Sequence, residues 1–199
     1  AKVGAVAALV RTMSTAVDDN PHTGAMHYAA EVPKIPTAAI STLAASQIAE
    51  LVAAGQKVVV HFEQDCQTLP PAQDPTVVGD YRGSEKPDEI LVGGGHLDCW
   101  DVGQGAHDDG GGRCQALRPR RTIRVVLFAN EENGLAGGKG YPVAHADEMD
   151  KHLLAMESDS GSFTPRGFTT NATAASNPRA RELLQAIVDL LAEAGADEL

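Results

Sequence analysis

The chain has 199 residues, of which 43% are hydrophobic and 4% aromatic, so it can form a folded core built mainly from aliphatic side chains. Its 27 acidic and 16 basic residues give a formal net charge of -11, which opposes binding to nucleic-acid phosphates and to anionic lipid surfaces. No apolar run approaches the roughly 20 residues of a membrane-spanning helix, and three cysteines without paired spacing indicate no disulfide framework. We therefore expect a globular protein that binds neither nucleic acid nor membranes.

The first third of the chain predicts a small unit of strands and one helix. Residues 3–10 form a short apolar run typical of a strand. Ser41 can cap a helix that Gly55 would end, and residues 57–62 predict another strand. Prolines and polar residues interrupt any regular pattern between positions 65 and 75, so we place a domain boundary there. The first domain would then cover residues 1–65.

The remainder, residues 76–199, alternates apolar strand-like runs with helical patterns. Strands are expected over 76–81, 90–94, 122–129 and 153–156, and Asn177 with Pro178 opens a helix. Strands mixed with helices indicate an α/β sandwich.

A histidine follows the second of these strands, within the glycine-rich segment 93–98. In open α/β sheets, ligand sites lie just beyond the ends of the strands, so His96 is a candidate metal ligand. Asp98 lies two residues further on and could hold the imidazole in one tautomer, as acceptors beside metal-bound histidines do. A simple turn aspartate is the alternative for Asp98.

The next segment, residues 101–112, is rich in both glycine and acidic residues. Glycines let the backbone approach a cation closely, and a carboxylate such as that of Asp108 can bridge two metal ions. The segment lacks the third glycine of a dinucleotide-binding loop, and its negative charge disfavours phosphate.

Consecutive carboxylates follow the strand expected over 122–129. Either Glu131 or Glu132 could ligate a metal while its neighbour accepts a proton from an attacking water, although a solvated acidic turn would have the same sequence. Asp159 closes the last strand in a similar way. A zinc site needs three or four nitrogen or oxygen ligands, and His96, Asp108, Glu132 and Asp159 supply that set.

Several segments of the chain resemble the M28 family of zinc peptidases. The catalytic motifs of that family are matched by residues 94–112 (GGHLDCWDVGQGAHDDGGG), 118–134 (RPRRTIRVVLFANEENG) and 155–167 (AMESDSGSFTPRG). Residues 13–28 (MSTAVDDNPHTGAMHY) and 32–41 (VPKIPTAAIS) resemble the protease-associated domain inserted in these enzymes. The resemblance implies a mixed-sheet zinc-exopeptidase sandwich over 76–199, with a partial protease-associated domain over 1–65.

The resemblance also implies a role for each candidate residue. His96 and Asp159 would hold one zinc ion, and Asp108 would bridge to a second. Glu132 would belong to the second ion, and Glu131 would be the general base. The implied reaction is hydrolysis of a dipeptide or short peptide by a hydroxide that bridges the two metals, with Asp98 as a further catalytic residue.

The chain also departs from the family pattern. A histidine ligand of the second zinc, which the family carries far downstream of the Asp159 motif, has no counterpart here, so we expect a fragment or shortened variant whose second site is incomplete. An alternative function is a catalytically incompetent remnant that serves as a metal-binding or protein-interaction module. A third possibility is a site completed by another chain, as in a homodimer. The family resemblance implies a secreted or periplasmic protein.

Overall fold

A computed structural model describes residues 3–22, 24, 26–100, 104–105, 118–159, 166–170 and 177–192. The chain divides into two compact units, Ala1–Ser158 and Asp159–Leu199. The described residues contain no helix that is both long enough and apolar enough to cross a membrane.

The first unit begins with a two-stranded parallel sheet and a helix. Strand β1 (Ala8–Arg11) pairs with β2 (Thr37–Ile40), and helix α1 (Thr42–Ala53) follows directly. The buried Ser41 caps this helix, because its side chain accepts a hydrogen bond from the N–H of Ala44 at 3.0 Å. Gly55, with φ of 73°, stands just past the helix end in the left-handed conformation that glycine adopts without strain. The predicted start and end of this helix are confirmed.

A four-stranded mixed sheet forms the rest of the first unit. Its strands are β3 (Val77–Tyr81), β4 (Lys86–His96), β5 (Arg121–Phe128) and β6 (His152–Glu157). Their order is β3-β5-β4-β6, with β4 parallel to both β5 and β6 and with β3 antiparallel to β5. The expected mixed α/β architecture is therefore confirmed, and β4 and β5 end side by side at one edge of the sheet.

One face of this sheet carries the hydrophobic core. Alternate residues of β5 are buried, as expected for a strand with one covered face. Helix α2 (Ala136–Ala144) contributes Tyr141 to the same cluster, whose other members are Ile90, Val92, Val126 and the partly buried Phe128. The rings of Phe128 and Tyr141 meet edge to face with centroids 6.1 Å apart, a favourable arrangement of aromatic quadrupoles.

A buried arginine joins four parts of this unit. The guanidinium of Arg124 donates two parallel hydrogen bonds to Asp80 on β3, at 2.7 and 2.8 Å. It also donates to the hydroxyl of Tyr141 at 3.1 Å and to the carboxylate of Glu148, just before a 3₁₀ turn (Met149–Lys151). The Tyr141 hydroxyl lies 2.9 Å from Nε2 of His152 on β6. Polar contacts thus connect β3, β5, α2 and β6 within the core.

The second unit contains helix α3 (Pro178–Leu191). Asn177 caps it, because its side-chain oxygen accepts a hydrogen bond from the N–H of Ala180 at 3.0 Å, and Pro178 occupies the first turn. Val188 is its most buried residue, with 2% of its surface exposed. The predicted helix is confirmed.

One expected strand does not form, and two elements of the fold were not predicted from the sequence. The strand predicted over 57–62 is wrong, because those residues form no regular structure. Strand β2 was not predicted, because it has only four residues and directly follows a segment with two prolines, Pro33 and Pro36, which is typical of a loop. Helix α2 was not predicted either, because it contains three glycines and Pro142, all poor helix formers.

Candidate metal centre

His96 is the last residue of β4 and lies almost completely buried, with 4% of its surface exposed. Its register partner on β5 is Phe128, whose carbonyl accepts a hydrogen bond from the N–H of Leu97 at 2.7 Å. The ring atom Nδ1 lies 2.6 Å from the backbone carbonyl oxygen of Asp98. Because a carbonyl can only accept a hydrogen bond, Nδ1 must donate, and in the neutral ring the lone pair lies on Nε2. This tautomer is the one that lets Nε2 bind a cation.

Asp98 contacts both strand ends through different atoms. Its backbone carbonyl fixes the histidine ring, whereas its Oδ1 lies 3.9 Å from Nδ1 of His96, beyond hydrogen-bond distance. The carboxylate instead accepts the backbone N–H groups of Glu131 and Glu132, at 2.9 and 3.1 Å. The side chain expected to orient the imidazole therefore holds the neighbouring carboxylate segment, and the main chain holds the imidazole.

Glu131 and Glu132 lie in the loop between β5 and α2, and both are half-buried. Their positions follow from the topology, because β4 and β5 are parallel neighbours and their carboxyl ends lie at the same edge. One ligand atom from each of His96, Glu131 and Glu132 can be chosen so that all lie within 4.8 Å of one another. The structure thus brings together one imidazole and two carboxylates.

This donor set suits a zinc ion. Zinc in proteins binds imidazole nitrogen and carboxylate oxygen at about 2.0–2.2 Å, so two ligands of one ion can lie up to about 4 Å apart. The three groups lie within 4.8 Å of one another, which is close to the spacing of ligands on one zinc ion. Two carboxylates also balance the charge of a divalent ion in a half-buried position.

The other two expected ligands are not part of this cluster of described residues. Asp108 lies outside the described residues. Asp159 is the first residue of the second unit and is exposed. Cys66 and Cys99 are the two cysteines among the described residues; both are exposed, and neither forms a disulfide with another described residue.

Sequence analysis did not identify three residues that shape the loop around Glu131 and Glu132. Asn130 and Leu135 have positive φ, at 55° and 61°, and a Cβ atom on Gly137 would meet the backbone of Ala129, directly after β5. Asn130 carries a weak sequence signal, because asparagine is enriched in the left-handed region. Leu135 carries none, and Gly137 lies among several glycines that look alike in the sequence.

Comparison with known families defines the class of this protein. A model of peptidase family M28 matches residues 76–198, which include the three clustered residues and both remaining candidate ligands. The match covers more than half of the chain, and the chain belongs to peptidase family M28.

Particular relatives extend the similarity into the first third. Carboxypeptidase Q from Mus musculus is 39% identical over 202 residues, and the human carboxypeptidase Q is 37% identical. Each alignment covers 96% of this chain and 42% of the relative. A crystal structure of a peptidase M28 precursor from Shewanella amazonensis SB2B has a TM-score of 0.74 and 36% identity, covering 93% of this chain and 45% of that protein. The chain spans less than half the length of these relatives.

Proposed function

We propose that this chain carries the metal centre of a zinc-dependent exopeptidase that hydrolyses dipeptides or short peptides. The observation that carries this proposal is the convergence of His96, Glu131 and Glu132 at the carboxyl edge of the sheet. Membership of family M28 and the similarity to carboxypeptidase Q support it.

The zinc ligands in this proposal are His96, Asp108, Glu132 and Asp159. His96 presents its Nε2 lone pair because Nδ1 is held by a main-chain carbonyl. When bound, zinc supplies a Lewis acid that polarises the scissile carbonyl of the substrate. The inclusion of Asp108 and Asp159 rests on their motifs in the sequence.

Glu131 is the proposed general base. It accepts a proton from the water that attacks the peptide carbonyl carbon and passes a proton to the nitrogen that leaves as the C–N bond breaks. The backbone of Glu131 is fixed by its N–H bond to Asp98 and by its carbonyl, which accepts the N–H groups of Gly134 and Leu135 at 3.0 and 2.9 Å. A fixed backbone restricts the positions that the carboxylate can occupy, which favours its alignment with the attacking water.

Asp98 acts in this proposal as a positioning residue. Its carbonyl sets the tautomer of His96, and its carboxylate satisfies two amide groups at the end of β5. One side chain and one main-chain oxygen therefore hold both strand ends in register with each other.

The experiment compares the zinc-loaded protein with its Glu131→Gln variant on a panel of dipeptides. The variant keeps the shape of the side chain but lacks a basic oxygen, so kcat should fall by about 10²- to 10⁴-fold. Zinc content, measured by atomic absorption, should show that metal is retained. Glu50→Gln, an exposed glutamate of α1, provides the matched control and should leave kcat unchanged.

Two results would contradict the proposal. Unchanged turnover of Glu131→Gln would refute the general-base role. Failure of the folded, zinc-loaded protein to cleave any dipeptide would favour a metal-binding or protein-interaction module without catalysis.

We also infer the domain roles and the location of the protein. Residues 1–65 would be part of a protease-associated domain, which the separate β1-β2 sheet supports, and residues 76–199 part of the catalytic domain. The protein would be secreted or periplasmic, and a homodimer is the assembly in which another chain would complete the site. Analytical ultracentrifugation tests the dimer, and a single monomeric species would contradict it.

A further inference from the structure

The residues between β5 and α2 form a loop closed by nested backbone hydrogen bonds. We call residues 130–135 the glutamate loop. The N–H of Gly137 donates to the carbonyl of Ala129 at 2.8 Å, and the N–H of Ala136 donates to that of Asn130 at 3.0 Å. The N–H groups of Gly134 and Leu135 close the two innermost rings by donating to the carbonyl of Glu131 at 3.0 and 2.9 Å. Backbone hydrogen bonds therefore close the loop at both ends.

Two non-glycine residues with left-handed backbone bracket the two glutamates. Asn130 has φ of 55° and Leu135 has φ of 61°. Side chains disfavour this region, so such conformations persist only where the surrounding contacts impose them. The hydrogen bonds within the loop and the grip of Asp98 on Glu131 supply those contacts.

Gly137, in the first turn of α2, lies directly against the end of β5. A Cβ atom at this position would lie 2.5 Å from the nitrogen and 2.8 Å from the oxygen of Ala129, and 2.8 Å from Oγ1 of Thr76. The two Ala129 atoms are backbone atoms directly after the last residue of β5, so they cannot move aside as the end of a flexible side chain could. The neighbouring Gly138 differs, because a Cβ atom there would meet nothing within 4 Å.

We propose that Gly137 is a positioning residue for the metal centre. By allowing the first turn of α2 to contact Ala129, it fixes the glutamate loop and holds the carboxylates of Glu131 and Glu132 beside His96. This inference rests on the proposed function, because it concerns a ligand and the general base of that same metal centre. It adds that the carboxylates are set in place by backbone packing before any metal binds.

The test compares two glycine-to-alanine substitutions in the same helix. Zinc affinity is measured by competition with a chromophoric chelator, and folding is checked by circular dichroism. Gly137→Ala should weaken zinc binding by about 10- to 100-fold, the range seen when groups that orient metal ligands are altered. Gly138→Ala adds the same methyl group in open space, so it should leave zinc affinity unchanged and raise the melting temperature.

If Gly137→Ala does not fold, a second pair of variants tests whether the backbone conformation of the glutamate loop controls zinc affinity. Leu135 is 46% exposed, so shortening its side chain removes little packing. Leu135→Gly accommodates the positive φ and should keep the zinc affinity, whereas the β-branched Leu135→Val opposes it and should weaken binding.

Each outcome separates this inference from the function on which it rests. Absence of zinc binding by the unaltered protein would overturn the proposed function and this inference with it. If the unaltered protein binds zinc, two results would overturn the inference alone. One is a folded Gly137→Ala variant that binds zinc as tightly as the unaltered protein. The other is equal zinc affinity in Leu135→Val and Leu135→Gly.

Discussion

The carboxylate of Asp98 and the backbone of Glu131 are joined by a 2.9 Å hydrogen bond that crosses from the end of β4 to the end of β5. The second carboxylate oxygen of Asp98 accepts the N–H of Glu132 at 3.1 Å. Since His96 is held by the carbonyl of the same aspartate, one residue contacts all three clustered residues.

Asp98→Asn should weaken zinc binding by about 10- to 100-fold, because an amide offers one acceptor where the carboxylate offers two. One of the two backbone N–H groups would then face an NH₂ group and lose its partner. Isothermal titration with zinc measures the effect. Asp88→Asn makes the same charge change at an exposed position of β4 and should leave the affinity unaltered. Equal affinities in the two variants would show that Asp98 does not position the ligands.

Arg124→Ala should lower the free energy of unfolding by about 3 kcal/mol, because it leaves Asp80 and Glu148 without the cation between them. The figure lies at the lower end of the range for buried ion pairs, since 41% of the Asp80 side chain and 23% of the Glu148 side chain remain exposed. Urea unfolding followed by circular dichroism measures it.

The matched control for Arg124 is Arg120→Ala. Arg120 pairs with Glu85, but the two side chains are 65% and 57% exposed. Exposed pairs contribute about 1 kcal/mol or less, so this substitution should change stability little. Similar losses in the two variants would contradict a stabilising role for the buried network.

Stability should fall as the solution is acidified below about pH 5, where carboxylates of the network begin to bind protons. A hydrogen bond from Arg124 is the main cause that lowers the pKa of Glu148 from 4.5 to about 2, and it also lowers the pKa of Asp80. Each folded-state pKa lies below the unfolded value, so the stabilisation is complete above the unfolded pKa. It is lost as pH falls from about 4.5 towards 2.

Unfolding free energies measured across this pH range test the dependence. Glu148→Gln removes the titrating group and should flatten the curve, whereas Glu85→Gln at an exposed pair should leave its slope largely intact. A Glu148→Gln curve as steep as that of the unaltered protein would rule out Glu148 as a source of the pH dependence.

Local signals in the sequence predicted the elements whose ends are marked by capping residues. Ser41 begins α1 and Asn177 begins α3, because the side chain of each accepts a hydrogen bond from a backbone N–H in the first turn. Gly55 ends α1 because it adopts a positive φ without strain. Helix α2 escaped prediction since its stability comes from the packing of Tyr141 in the core rather than from the preferences of its glycines. The failed strand over 57–62 shows the converse, because a suitable pattern without a partner strand forms no sheet.

The sequence could predict the candidate site only to the extent that it predicts where the strands end. Parallel neighbours place His96 and the two glutamates at one edge, and a histidine and carboxylates after apolar runs indicate such an edge. The main-chain bonds that fix them carry no residue-specific signal. For that reason the sequence indicated a hydrogen bond from His96 to the carboxylate of Asp98. In the structure the ring of His96 bonds instead to the backbone carbonyl of Asp98.

Anomalous diffraction at the zinc edge, from crystals of the zinc-loaded protein, tests whether zinc binds at His96. We expect a peak about 2.0–2.1 Å from Nε2 of His96, with a carboxylate oxygen of Glu132 at bonding distance from zinc and Glu131 outside the coordination sphere. A zinc ion bound elsewhere, with His96 outside its coordination sphere, would contradict it.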